Sequence, residues 1–282
     1  LGTLIARRPG TIVVVASAGG WRTTSTRVVA VPAGSHLVRA ENWASGLTAW
    51  RTFGDPVPTI VQDRRFGDAL LNNGDGSYFS GAYSQERFQW ASGLAVDAVL
   101  STPVTELQWQ TLDLDLRGSD NDQNLVTWDH RTGFMPTVAR SSGASCIFSY
   151  PGREGVDGLM TIIPMAATRG DTPLQALRIS NGELYRVRLQ VFPDGRCGMA
   201  VNGAPLFVST DRFAAHMPLR LVTYGNSWKT RMLLGPLTVT GGVPDDIDWT
   251  RISRVIPTAM PSGPARPEAA ARNPPPPPAP KR

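Results

Sequence analysis

Apolar and polar residues alternate with a period of two in the clearest patterned segments of the chain. In residues 107–116, three leucines share one face of a predicted strand, and Asp113 and Asp115 share the other. In residues 185–192, three aliphatic side chains share one face and the basic residues share the other. Each segment is therefore predicted to be a strand with one face in the core and the other in water.

The rest of the chain also divides into short apolar segments between turn residues, and no segment keeps helical spacing beyond two turns. This pattern predicts an all-β, two-sheet antiparallel jelly-roll sandwich with extended N- and C-terminal segments. The predicted strands are residues 69–72, 78–83, 88–90, 94–101, 107–116, 125–129, 146–150, 159–163, 174–179, 184–192, 196–201, 205–209, 218–224 and 232–240.

Turn residues join three of these strands into a meander. Pro193, Asp194 and Gly195 supply the first hairpin turn, and Asn202 with Gly203 supplies the second. This meander, with its basic residues facing outward, resembles that of laminin-G and concanavalin A-like sandwiches.

Two further segments resemble the same superfamily. Residues 41–47, followed by Trp50 and Arg51, are similar to its opening segment, and residues 233–239 resemble its closing strand. The resemblance covers roughly residues 41–242 and implies a concanavalin A-like sandwich. Its motifs are structural turns, so it argues for fold much more than for function.

The two ends of the chain differ in composition from the middle. Residues 1–39 are predicted to be an N-terminal extension, either a strand or a membrane-proximal segment, and residues 40–243 are the sandwich. Residues 244–256 are predicted to form a short helix or a linker, and residues 257–282 a Pro-rich extended tail. Such a tail is either a disordered linker or a polyproline rod that lies in a groove of a partner.

The first residues also imitate a signal peptide. Arg7 and Arg8 precede an apolar run at residues 11–15, and a cleavage-like sequence follows at residues 16–18. The run is too short to span a bilayer. A strand is the simpler interpretation.

The chain is rich in residues that turn the backbone, with 28 Gly and 24 Pro among 282 residues. Its formal net charge of +5 comes almost wholly from arginine, because Lys229 and Lys281 are the only lysines. The arginines are scattered, and no basic run is interleaved with stacking aromatic residues. We therefore expect no nucleic-acid partner.

Cys146 and Cys197 are the only two cysteines, which excludes a cysteine-rich metal cluster or a disulfide scaffold. We favour two small buried hydrophobic residues, because a chain of this length needs no covalent link. One disulfide, formed in an oxidising compartment, is the alternative.

Asp113 and Asp115 are the nearest candidates for a catalytic pair. Glycoside hydrolases also use this sandwich, and retaining members need two carboxyl groups about 5 Å apart. The resembling hydrolases carry a third acid on the same strand, whereas here Arg117 and Gly118 come next. A solvated strand face is therefore favoured over an active site.

The sequence carries no recognisable metal or cofactor motif. His36, His130 and His216 lie far apart without the spacing of metal ligands. Asp120 and Asp122, in an Asx-rich loop, are weak calcium candidates, but such loops also arise from local hydrogen bonding. We expect no cofactor and a chain that is not an enzyme.

Protein recognition is the function that the sequence favours. We predict a non-catalytic structural subunit that binds other protein subunits of a large, membrane-peripheral assembly, on the periplasmic or exported side. The predicted partner-binding residues are Trp21, Arg22, Trp228, Trp249, Pro274, Pro275, Pro276, Pro277, Pro278, Lys281 and Arg282.

A second resemblance concerns the whole chain. The arginine-rich, lysine-poor sandwich with two extensions resembles membrane-extrinsic subunits of photosynthetic reaction-centre and light-harvesting complexes in gemmatimonad-type bacteria, although it has no pigment-binding motif. The alternative function is a lectin-like carbohydrate-binding module, with an Asx-rich loop and a tryptophan as its site. A glycoside hydrolase is the third hypothesis.

Overall fold

The computed structural model describes residues 10–16, 24–65, 67–73, 80–101, 110–118, 144–152, 159–160, 175–176, 183–214, 217–226 and 233–253. Every regular element in these ranges is a strand. The strands are β1 (Gly10–Ala16), β2 (Thr24–Ala30), β3 (Ser35–Glu41), β4 (Trp50–Phe53), β5 (Thr59–Asp63), β6 (Gly67–Leu71), β7 (Ser80–Ser84), β8 (Leu94–Ser101), β9 (Gln110–Gly118), β10 (Ala144–Gly152), β11 (Leu159–Met160), β12 (Gln175–Ala176), β13 (Leu184–Val191), β14 (Arg196–Val201), β15 (Ala204–Arg212), β16 (Leu219–Asn226) and β17 (Leu233–Gly242).

Two antiparallel sheets make up the body of the protein. The small sheet has the strand order β10-β9-β16-β7-β4, and the large sheet has the order β15-β14-β13-β8-β17-β6-β5, with β3 also paired to β17. Strands β1 and β2 pair in a separate two-stranded antiparallel sheet, and β11 pairs with β12. The predicted two-sheet antiparallel sandwich is confirmed.

The core lies between the sheets and uses one face of each central strand. Leu112, Leu114 and Leu116 of β9 are at most 1% exposed, and they belong to one cluster with the alternating aliphatic residues of β13. Burying aliphatic side chains contributes about 1.5–3 kcal/mol each, so this shared face provides most of the driving force for sheet packing.

The second face of β9 is also buried, which corrects the predicted wet face. Asp115 is 0% exposed and Arg117 is 1% exposed, and Arg117 Nη2 lies 2.6 Å from Asp115 Oδ2. Burial by itself lowers the pKa of Arg117, but the interactions with Asp115 and Tyr224 together outweigh burial, and the pKa is raised. Alternation distinguishes two faces of a strand, but a face that carries paired charges can be buried as well as wet.

The two cysteines connect the sheets through the core. Cys146 of β10 and Cys197 of β14 form a disulfide, with their Cα atoms 6.2 Å apart, and both residues are 1% exposed. The structure thus contains the alternative that the sequence left open, rather than the favoured pair of unlinked cysteines. The favoured interpretation placed both cysteine side chains in the core, and the structure places them there as well.

A buried carboxylate fixes the corner between β3 in the large sheet and β4 in the small sheet. Glu41 is 7% exposed, and its Oε1 accepts hydrogen bonds from the backbone N–H groups of Asn42 and Trp43 at 3.0 and 2.8 Å. Its Oε2 accepts from Trp50 Nε1 and from Arg39 Nη2, both at 3.0 Å. One side chain therefore organises the whole turn between the sheets.

Trp43 completes this corner in an uncommon backbone conformation. Its φ of 62° lies in the left-handed region, which bulky residues rarely adopt. The indole is 1% exposed and donates from Nε1 to the Gly235 carbonyl at 2.8 Å, and its ring centroid lies 5.1 Å from that of Trp50. Burial and hydrogen bonding together offset the cost of the backbone conformation.

The N-terminal boundary of the sandwich lies earlier than predicted. Strand β3 begins at Ser35 and pairs with β17, so residues 35–39 belong to the large sheet and not to the extension. The apolar run at residues 11–15 is part of β1, as the simpler interpretation predicted, and β1 pairs with β2 in an antiparallel register.

Turns and bends follow β17. Residues 244–253 contain no helix, so the helical alternative predicted for residues 244–256 is not found in the described part of that segment. The predicted tail, residues 257–282, lies outside the described residues. A search of the described residues finds no helix long and apolar enough to cross a membrane.

The substitution Glu41→Gln is expected to lower the free energy of unfolding by about 2 kcal/mol at neutral pH, because an amide replaces a buried carboxylate that accepts hydrogen bonds. Burial by itself raises the pKa of Glu41, but the hydrogen bonds from Trp50 and Trp43 and the charge of Arg39 lower it below 4.5. This stabilisation is therefore present above the ordinary pKa and lost as pH falls through the lowered folded-state pKa. Urea unfolding of both proteins from about pH 3 to pH 7 measures it.

Glu86→Gln is the matched control. Glu86 contacts the same Arg39 at 3.5 Å, but its side chain is 44% exposed, so its loss should change the free energy of unfolding by less than about 1 kcal/mol. A Glu41→Gln protein as stable as wild type, or a difference that does not depend on pH, would contradict the role assigned to Glu41.

Candidate functional site

Side chains on the outer face of the large sheet form a row across four strands. Arg188 on β13 lies between Asp97 on β8 and Ala200 on β14, and Asp97 lies opposite Thr238 on β17. The chain neighbours of each of these residues belong to the core, so alternation directs the row away from it. Arg186 is two residues before Arg188 and therefore lies on the same face.

Two cavities open beside this row and share Asp97, Arg186 and Arg188 as walls. The first has a volume of about 170 Å³ and is completed mainly by residues 29–32 and 236–238. The second has a volume of about 240 Å³ and is completed by the turn between β14 and β15 and by the segment that follows β17. We refer to the two cavities and their lining residues as the arginine cleft.

Arg188 is held between two carboxylates. Its Nε lies 3.0 and 3.1 Å from the two oxygens of Asp97, and its Nη2 lies 2.8 Å from Asp97 Oδ2. Asp246 bonds to Nη1 and, at 3.2 Å, to Nη2. Burial by itself lowers the pKa of Arg188, but the two carboxylates outweigh it and the pKa is raised. The positive charge of Arg188, which is 3% exposed, is therefore compensated within the protein.

Arg186 is fixed by its backbone and not by its guanidinium group. Its N–H donates to Asn202 Oδ1 at 2.9 Å, and the Asn202 N–H donates to the Arg186 carbonyl at 2.8 Å. The side chain is half-buried and lines both cavities. Within the described part of the chain, the guanidinium has no ion pair or hydrogen bond. Among the described residues of the cleft, Arg186 is thus the charged side chain whose charged group contacts no partner.

The segment after β17 packs on the outer face of the large sheet and supplies a wall of the cleft. Trp249 meets Phe192 edge to face, with ring centroids 5.4 Å apart. Gly198 of β14 leaves room for the indole, because a Cβ at that position would lie 2.7 Å from Trp249 Cζ3. The Ser253 N–H donates to the Pro205 carbonyl at 2.6 Å. These contacts hold the segment that carries Asp246 beside Arg188.

Most of the sequence-predicted site residues lie outside the described part of the chain. They are Trp21, Arg22, Asp120, Asp122, Trp228, Pro274, Pro275, Pro276, Pro277, Pro278, Lys281 and Arg282. Trp249 is described and packs against Phe192 and Gly198 within the chain. Its predicted contact with a partner is untested and stays a prediction.

The structure does not place the candidate catalytic pair on a solvated face. Asp115 is enclosed with Arg117, and the side chain of Asp113 lies outside the described part of the chain. In the residues described, no group of three or more His, Cys, Asp or Glu side chains is arranged to hold a metal ion. His36 is exposed on β3, with its ring against Gly241.

The sequence analysis did not predict the arginine cleft, although the alternation that places its two arginines on the outer face is visible in the sequence. Alternation along β13 correctly directs Arg186 and Arg188 away from the core. Asp97 and Asp246 are 91 and 58 residues from Arg188, and no motif links them. Only the sheet register brings the four side chains together.

The sequence matches no protein-family model and no curated protein. Solved structures nevertheless share the fold. The carbohydrate recognition domain of Emp46p, in its potassium-bound form, aligns with a TM-score of 0.54 and 9% identity over 74% of this chain and 97% of that chain. Lectin II from Ulex europaeus aligns with a TM-score of 0.50 and 10% identity over 74% of this chain and 100% of that chain.

The Emp47p carbohydrate recognition domain gives a similar result, with a TM-score of 0.52 and 8% identity over 70% of this chain and 90% of that chain. These likenesses confirm the predicted concanavalin A-like jelly-roll fold. At such low identity they establish the fold alone. The resemblance to photosynthetic reaction-centre subunits gains no support from them.

The substitution Gly198→Val tests how the segment after β17 is held. The added side chain should displace the Trp249 ring, because even a Cβ lies too close to it. We expect tryptic cleavage after Arg251 to become at least about threefold faster, since local opening of the segment then costs less free energy. Mass spectrometry of the fragments measures the rate.

Thr52→Val, at an exposed position of β4 in the other sheet, is the control and should leave the rate unchanged. Trp249→Ala should reproduce the faster cleavage by removing the indole itself. Cleavage at the wild-type rate in both Gly198→Val and Trp249→Ala would show that Trp249 does not anchor the segment.

Proposed function

We propose that this protein is a non-catalytic carbohydrate-binding module and that the arginine cleft is its binding site. The observation that carries the proposal is the cleft itself, a groove on a lectin-like sandwich in which arginine and carboxylate groups converge between apolar walls. Binding sites for small molecules commonly combine apolar walls with a few well-placed polar groups.

The chemistry of the lining suits a sugar. Guanidinium groups donate and carboxylates accept hydrogen bonds in planar, paired geometries, which match neighbouring hydroxyl groups on a sugar ring. Thr238 and Asn202 add polar groups at the two ends, and residues 29–32 with Pro236 add apolar surface for the carbon face of a ring. Each cavity is smaller than the about 300 Å³ at the lower end of typical ligand sites, which limits the proposed ligand to a small saccharide.

The fold is consistent with this proposal. Carbohydrate recognition domains and a lectin share the same sandwich, and a similar scaffold can present a recognition surface even when its residues differ. The likeness supports the class of ligand and says nothing about the place of the site, which rests on the cleft.

Binding rather than turnover is the activity that the cleft favours. Hydrolysis of a glycosidic bond uses one carboxyl group to move a proton and a second as nucleophile or base. The two carboxylates that line the cleft, Asp97 and Asp246, are both bonded to Arg188. Neither is therefore placed as a free acid or base toward a ligand.

The hypothesis of a structural subunit in a membrane-associated assembly depends on the N-terminal extension and the Pro-rich tail. Its named contact residues, Trp249 apart, lie outside the described part of the chain. That hypothesis stays a prediction.

A glycan array tests the proposal, with purified full-length protein as the probe. Thr238→Tyr should abolish binding, because Thr238 is half-buried at the cleft and a tyrosine there fills the first cavity while keeping a residue type that suits strands. Thr52→Tyr makes the same change at an exposed position of the small sheet and should bind as wild type.

Two results would overturn the proposal. A wild-type protein that binds no glycan on the array removes the function. Binding that survives Thr238→Tyr places the site elsewhere on the molecule.

A further inference from the structure

The contacts among the charged side chains of the arginine cleft are unevenly distributed. Two arginines and two aspartates line it, but both aspartates bond to Arg188. Arg188 therefore uses both available carboxylates, and Arg186 has no ion pair or hydrogen bond at its guanidinium within the described residues. The described residues thus leave the Arg186 guanidinium available to donate hydrogen bonds to the oxygen atoms of a ligand.

The backbone of Arg186 is held in place before any ligand binds. Its backbone N–H and carbonyl are both bonded to Asn202, so the base of the side chain is held by the hairpin of β13 and β14. Asn202 itself has a φ of 49°, the left-handed conformation of a tight turn. A guanidinium that starts from a fixed strand loses less conformational freedom on binding than one on a loop.

Partial burial sets the preference for an anion. A half-buried arginine side chain beside a cavity has less room for hydrating water, and a charged oxygen is a stronger acceptor for its guanidinium than a neutral hydroxyl. Carboxylate, sulfate and phosphate groups also offer paired oxygens to the guanidinium fork. An anionic group in the cleft should consequently bind more tightly than a hydroxyl in the same place.

We infer that the arginine cleft selects acidic saccharides, which carry a carboxylate, sulfate or phosphate group, and that Arg186 binds this group. The inference rests on the proposed carbohydrate-binding function and specifies the class of sugar. Arg188 is a positioning residue, because its charge is already satisfied and it holds Asp97 and Asp246 as walls.

The cleft is poorly suited to a nucleic-acid strand. Binders of single strands combine an extended basic track with aromatic side chains on which bases stack. The described lining of the cleft contains no aromatic residue, and two of its four charged side chains are acidic. Cavities of about 170 and 240 Å³ suit a small sugar better than an extended strand.

Isothermal titration with monosaccharides tests the inference. The probes are glucose, glucuronate, glucose 6-sulfate and glucose 6-phosphate, with inorganic sulfate as a probe without a sugar. We expect wild type to bind at least one of the three acidic sugars about tenfold more tightly than glucose, with a preference that weakens as salt increases. The three acidic probes distinguish the anionic groups.

Arg186→Gln should remove this preference, so that acidic and neutral sugars bind within about twofold of each other. Arg186→Lys keeps the charge but loses the planar fork, and it should retain a reduced preference. Arg51→Gln is the matched control, because Arg51 is an exposed arginine on β4 of the other sheet, and it should behave as wild type. Thermal unfolding verifies that each variant is folded. If Arg186→Gln does not fold, the reduced preference of Arg186→Lys for acidic sugars is the test.

The failure of the inference can be distinguished from failure of the proposed function. Glycan-array binding restricted to neutral sugars, or an acidic preference that survives Arg186→Gln, overturns the inference and leaves carbohydrate binding intact. Inorganic sulfate that binds as tightly as glucose 6-sulfate shows a plain anion site and also overturns it. No binding of any acidic sugar to wild type overturns it as well, and an array without any bound glycan removes the function together with the inference.

Discussion

A charged side chain that leaves water must be paired, and this constraint shapes the sandwich at several places. Glu41 is buried at the corner between the sheets and takes its hydrogen bonds from both sides of that corner. Arg188 ties three segments together, since its two carboxylates come from β8 and from the chain after β17. The apolar core drives the sheets together, but these polar contacts determine which segments lie side by side.

Arg186 differs from these buried charges. It lies on the same strand face as Arg188 and lines a cavity with Asp97 and Asp246, yet both carboxylates bond to Arg188. Arg186 is only half-buried, so water can still hydrate its guanidinium group. Ligand recognition is the role that we propose for it, and that role needs no chemistry beyond hydrogen bonding and charge.

Most strands of the sandwich could be predicted because the sequence of each central strand by itself shows an apolar pattern with turn residues at its ends. Strands β8 and β14 have the predicted bounds, since each has alternating or continuous apolar residues bounded by turn residues. Strands β3, β4 and β5 were not predicted, because they expose many of their residues and lack a continuous apolar face. Their place in the sheets comes from pairing with strands that are distant in sequence.

The same distinction explains what could be foreseen of the site. Alternation along β13 placed Arg186 and Arg188 on the outer face, but nothing local identified Asp97 as the partner of Arg188. Asp115 shows that alternation has a limit. It correctly placed Asp115 on the face opposite the core leucines, but it did not reveal that this second face is also buried. Local patterns assign side chains to faces, and only the complete fold shows what lies against each face.

Strand β13 carries the core on one face and the cleft on the other, and this division has an evolutionary consequence. Substitutions at Arg186 alter the outer surface without altering the packing of Val187 or Leu189 beneath it. Descendants of such a chain could exchange one ligand for another by drift and selection at a few outward positions, while the inherited sandwich continues to fold.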